Sequence, residues 1–168
     1  MKFLPKENIT FKTKLKEDEI IIRLSEIIEP EKFIRFSLFG TVKSKAYEGT
    51  VTGKTFSIKR IIGYRNSFLP RITGYIEHDM HGTAIKVRMR LQIFVYLFLS
   101  IWCSGAGIGG FYIIKNIISD PEFNPWIIFI PIGMLLFVYL MTLGAFKYES
   151  SRSIKDLQTL FEAELINI

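Results

Sequence analysis

One cysteine, Cys103, stands in 168 residues, with only two histidines, two tryptophans and six prolines. A lone cysteine excludes a disulfide-stapled secreted scaffold, and the composition excludes disorder and collagen-like repeats. Two long runs lack charge altogether: residues 91–114 (LQIFVYLFLSIWCSGAGIGGFYII), 24 in number, and residues 126–146 (WIIFIPIGMLLFVYLMTLGAF), 21 in number. Neither run holds a carboxylate or histidine that would carry a proton through a membrane, and the chain has no GxSxG, P-loop or HExxH pattern. The expectation is a protein that is not an enzyme and uses no cofactor. The N-terminal stretch MKFLPKENITFKTK has no apolar segment of the signal-peptide kind, so no cleaved leader is expected and the first run acts as an internal signal.

Nearly half the residues are hydrophobic (49%) and mean hydropathy is +0.26, yet 23% are charged. These values agree only because the apolar residues are concentrated. At about 1.5 Å per residue the two runs reach about 36 and about 31 Å, enough for a hydrocarbon core of about 30 Å. A chain of 19.5 kDa is too small to wrap two such helices inside a soluble core.

The charge is as uneven as the hydropathy. Residues 1–90 carry 18 Lys plus Arg against 10 Asp plus Glu, and residues 91–168 carry 4 against 6, so the formal +6 is a net +8 followed by −2. The connection 119–125 (SDPEFNP) holds Asp120 and Glu122 and no cation, whereas Lys86, Arg88 and Arg90 precede the hairpin and Lys147, Arg152 and Lys155 follow it. Cations flanking spans mark the cytoplasmic side, which puts both termini there. Lys115 opposes this and snorkels to the outer interface.

Within the first 90 residues, Ile9, Phe11, Thr13 and Leu15 alternate with polar neighbours, predicting a strand. Ile20, Ile21, Leu24, Ile27 and Ile28 recur at helical spacing behind Glu17, Asp18 and Glu19, and Pro30 ends the pattern. Further strands are read at 33–39 (FIRFSLF), 54–62, 72–77 and 85–90, with residues 40–53 as a turn or weak edge hairpin and His78 to Gly82 as a turn. After the second run, Ser153 is a candidate N-cap with Asp156 three residues on, and Ile154, Leu157, Leu160, Phe161 and Leu165 share one helical face.

The expected architecture is therefore an α+β membrane protein: an antiparallel sheet with N-terminal and C-terminal helices in the cytoplasm, and a transmembrane helical hairpin inserted before the last helix. Its segments are a β-rich domain at 1–90, a first span at 91–118, an extracytoplasmic loop at 119–125, a second span at 126–146, and an amphipathic helix at 147–168 packing on the first domain. This plan, and the stretch FSIKRIIGYRNSFLPRITG at residues 56–74, resembles bacterial two-span membrane proteins with pleckstrin-homology-like domains, including the YcxB-like proteins. That fold uses seven strands, against about five read here. The resemblance implies a bacterial inner-membrane location and a binding or scaffold role, with no catalytic residues.

Two candidate sites follow. Cys103, Gly105, Ala106, Gly107, Gly109 and Gly110 form small-xxx-small pairs in an otherwise bulky span, the pattern that lets helix backbones approach closely in lipid. They serve either packing against the second span or a partner: another membrane protein or a second copy. Lys59, Arg60, Arg65, Arg71, Lys86, Arg88 and Arg90 supply a basic patch, which either fixes topology and wets the sheet or attracts the headgroups of membrane lipids. A nucleic acid finds little room on a strand that abuts a membrane, so none is expected as partner. His78, Asp79 and His81 are compatible with a metal, but with no fourth donor they read as a hairpin tip. Arg65, Asn66 and Ser67 can cradle a phosphate or simply satisfy their own loop. The leading expectation is a protein-binding accessory, assembly or scaffold subunit. The alternative is a sensor of anionic lipid headgroups.

Overall fold

The structure, a computed structural model, describes residues 4–30, 45–64, 66–80 and 82–166. Strand β1 (Lys6–Thr13) leads to helix α1 (Glu17–Ile27) and the short β2 (Ile28–Glu29). Strands β3 (Tyr47–Thr52), β4 (Thr55–Arg60), β5 (Arg71–Asp79) and β6 (Gly82–Arg90) follow. Helix α2 (Ile93–Ser119), a 3-10 turn (Pro125–Ile128), helix α3 (Phe129–Phe161) and β7 (Glu164–Ile166) complete the chain. Among the described residues, the seven strands join one sheet in the order β2-β3-β4-β5-β6-β1-β7, antiparallel except for β2 beside β3.

Period-two alternation decides what each sheet face carries. Ile9 and Phe11 of β1, Ile58 of β4, Ile72 and Ile76 of β5, and Ile85, Val87 and Met89 of β6 are buried on one face. Helix α1 covers that face with Ile20 and Leu24, its acidic first turn matched to the positive end of the helix dipole. The C-terminal part of α3 covers the rest with Phe146, Leu157 and Phe161. Phe161 meets Phe11 edge-on at 5.9 Å between ring centres and lies 6.5 Å from Phe56. Gly74 makes room for this cluster, because a Cβ there would stand 2.1 Å from the Phe56 ring.

Helices α2 and α3 are each long and apolar enough to cross a membrane. Only Leu91 and Gln92 separate β6 from α2, as the sequence predicts. The second helix departs from expectation. In place of a span ending at 146 and a separate capped helix, α3 runs unbroken for 33 residues, about 50 Å. Residues 147–152 contain no glycine or proline, so nothing interrupts the hydrogen-bond ladder. Ser153 is consequently no N-cap but a fully buried mid-helix residue. The helix stops at Glu162, which takes a left-handed conformation at φ 47°. The chain then turns into β7 against β1, moving Leu165 from the expected helical face into a strand. The hairpin is thus inserted between two strands of the sheet, and its second helix is also the domain's last.

The weak hairpin expected within 40–53 resolves in part as β3, paired with β4 along its length. The strand expected at 33–39 lies outside the described residues.

Replacing Gly74 by Ala should lower stability by about 1–3 kcal/mol through overpacking against Phe56. The same change at Gly63, where a Cβ meets nothing within 4 Å, should be near neutral. Thermal unfolding followed by circular dichroism in detergent checks both.

Candidate functional site

The outward sheet face carries the charge, and strand register arranges it in rows. Lys6, Arg90, Arg71 and Lys59 lie side by side on β1, β6, β5 and β4 at the sheet edge from which α2 departs. Asn8, Arg88, Thr73 and Ser57 form the next row, then Thr10, Lys86, Tyr75 and Thr55. Away from the edge each lysine faces a carboxylate: Lys86 meets Glu77 at 2.5 Å and Lys12 meets Asp79 at 2.8 Å. At the edge Lys59 reaches Glu48 at 3.5 Å, and Arg71 Nε donates to Ser57 Oγ at 3.0 Å. Among the described residues, Lys6, Arg88 and Arg90 have no carboxylate partner. Arg71, Thr73, Arg88 and Arg90 join Leu91, Gln92, Ile93 and Phe94 around an open concavity of about 470 Å³. One wall is cationic and the other is apolar, with Ile93 and Phe94 largely exposed.

Of the expected basic patch, Lys59, Arg71, Lys86, Arg88 and Arg90 share this face. Arg60 does not. Alternation in β4 turns it to the opposite face, where it pairs with Asp156 of α3 at 3.0 Å. Arg65 lies outside the described residues, as does His81. Asn66 Oδ1 accepts from the Phe68 amide at 3.0 Å, so this loop satisfies its own backbone. His78 and Asp79 are successive strand residues and point to opposite faces, Asp79 toward Lys12.

The small residues of α2 divide between two faces. Ala106 and Gly110 are half-buried, and a Cβ on Gly110 would meet Pro131 of α3 at 3.7 Å. A Cβ on Gly105, Gly107 or Gly109 would meet nothing within 4 Å, and Cys103 is exposed. Packing within the hairpin therefore uses one small pair and leaves Cys103–Gly107 and Gly105–Gly109 open.

A buried polar cluster on α3 is not among the sites that the sequence suggests. Glu149 of α3 is fully buried and accepts from the Tyr64 hydroxyl, with the Asn66 amide 3.5 Å away. Its other oxygen has no hydrogen-bond partner among the described residues. Tyr47 donates to Asp156 at 3.2 Å. Burial first, then the Asp156 charge, pushes the Tyr47 phenol up from its ordinary value. The Tyr64 phenol is raised chiefly by its hydrogen bond to Glu149.

Comparison with protein-family models, curated proteins and solved structures finds no match for this chain.

Replacing Asp156 by Ala removes the counter-charge of Arg60, whose side chain is 17% exposed and already has one buried nitrogen unpaired. The expected cost is about 1–3 kcal/mol, read from thermal unfolding. Asp156→Asn, which keeps an acceptor for Tyr47, should lose less.

Proposed function

We propose that this chain is a non-enzymatic, two-span protein of a bacterial inner membrane, with the sheet domain and both termini in the cytoplasm. Its function is to bind other membrane proteins, or a second copy of itself, as an accessory, assembly or scaffold subunit. The observation that carries this reading is the two small pairs of α2 left open, Cys103–Gly107 on one side and Gly105–Gly109 on the other, whose glycines have no neighbour within 4 Å at the Cβ position. In lipid, helices associate by close packing rather than by hydrophobic burial, so an unfilled small-residue face is where a second helix gains most contact. The orientation rests on Lys147, Arg152 and Lys155, which follow the apolar stretch within α3, against Asp120 and Glu122 in the loop. The seven strands and the helices across one sheet face support a pleckstrin-homology-like reading of the domain.

The rigidity of α3 suits such a subunit. A helix partner gripping α2 is held through the hairpin in fixed relation to the sheet domain. Gly105→Leu combined with Gly107→Leu, which fills both open pairs, should reduce the protein, gently extracted from its own membranes, from a defined complex to a lone chain in native mass spectrometry. Ile108→Leu, a swap between bulky residues, should leave the complex intact. An unchanged complex mass in the double variant contradicts the proposal.

A further inference from the structure

The cationic edge has a property that topology alone does not require. Like charges directly opposite one another on neighbouring strands destabilise a sheet, yet Arg71 and Arg90 are direct partners, with Lys6 and Lys59 flanking them. Elsewhere on the same face the lysines are matched by Glu77 and Asp79. The mismatch is confined to the edge beside α2, where Arg88, Arg90 and Lys6 are left without a carboxylate among the described residues. Three of the cations there are arginines, whose planar forks bind phosphate oxygens in pairs.

We infer that this edge is a binding site for the phosphate of anionic phospholipid headgroups. The geometry favours a lipid over a free phosphate in two ways. Four strands at about 4.8 Å spacing make the row about 14 Å wide, a line of charge suited to several neighbouring headgroups rather than a socket for one ion. The open concavity that Arg71, Arg88 and Arg90 line is also lined by Leu91, Ile93 and Phe94 beside Gln92, apolar surface that suits the first carbons of an acyl chain and that a hydrated phosphate would not use. Headgroup phosphates supply the counter-charge that the sheet omits, and so fix the angle at which the domain meets the surface.

This inference rests on the proposed membrane crossing but not on the open small pairs of α2. The test uses the full chain in nanodiscs of phosphatidylcholine containing a minor fraction of phosphatidylglycerol, with native mass spectrometry reading the lipids retained on release. The parent protein should retain phosphatidylglycerol in preference to phosphatidylcholine. Arg88→Gln combined with Arg90→Gln should weaken that preference about 25-fold, two surface cations each contributing about fivefold. Both side chains are exposed, so folding should persist, as circular dichroism would verify. Should the double variant nevertheless unfold, Arg88→Lys with Arg90→Lys keeps the charges and removes the forks. Its expected preference lies between the parent's and that of a chain without selectivity. Lys12→Gln, at the far end of the face, should retain the parent's preference. Equal retention in parent and edge variants overturns the inference. Binding of inorganic phosphate to the detergent-solubilised chain, without phosphatidylglycerol selectivity, overturns the lipid assignment in favour of a soluble anion. Loss of lipid selectivity with an intact protein complex would separate this site from the open small pairs.

Discussion

A single helix has to satisfy two environments, and the rest of the molecule is arranged around that requirement. The first half of α3 presents Ile130, Ile132, Leu136, Phe137 and Leu140 to its surroundings, a surface that water would not tolerate. Four turns further on, the same helix buries Phe146, Leu157 and Phe161 against a sheet whose other face is polar. No loop separates the two regimes, so the part of the sheet that α1 does not cover lacks its core covering until the hairpin has formed and returned. Contacts at both ends of the buried part fix its position. Lys147 pairs with Glu7 where the apolar stretch ends, and the Thr13 hydroxyl donates to the Phe161 carbonyl at 2.7 Å where the helix stops.

The domain's chemistry follows from this placement. Because α1 and α3 occupy one face, the other must stay wet, and period-two alternation delivers the hydrophilic residues of every strand to it. The charge on that face is graded along the strands. Carboxylates oppose lysines at the end remote from α2, and at the near end Lys6, Arg88 and Arg90 have no carboxylate partner among the described residues. Glu149 and Ser153 of α3 enter the core instead, where Glu149 meets Tyr64, while the exposed Asp156 holds Tyr47 and Arg60 at its border. Buried polar groups of this kind cost stability unless satisfied, and Glu149 and Ser153 are only partly so. They fix the rotational setting of the helix on the sheet more than they add to its stability, in keeping with their position just beyond the apolar stretch.

Much of this plan was legible in the residues, and the parts that were not share a cause. Ile9 and Phe11, Ile72 and Ile76, Ile85, Val87 and Met89 announce their strands because alternation is local. The spacing of Ile20 and Leu24 announces α1 in the same way. The uncharged runs announce α2 and α3 by length. Ser153 followed by Asp156 mimics a cap, but a cap needs the chain to leave the helix before it, and no residue from 147 to 152 forces that. The short strand β7 has no pattern of its own. It exists because Glu162 turns the chain and β1 offers an open edge. Likewise, adjacency of Lys59 and Arg60 in sequence suggests one patch, whereas a strand sends neighbours to opposite faces. The row from Lys6 to Lys59 depends on pairings between residues up to 84 positions apart, which no local pattern encodes. The division of the α2 glycines depends on where Pro131 comes to rest.

The claim on which this account depends is the continuity of α3 from its apolar half into the sheet core. Backbone hydrogen exchange across residues 142–157, measured on the full chain in nanodiscs, tests it directly. The account predicts uninterrupted slow exchange through Lys147, Glu149 and Ser150, with fraying only near Glu162. A rapidly exchanging segment at 147–150, flanked by protected helix on both sides, would show two helices joined by a hinge and would contradict it.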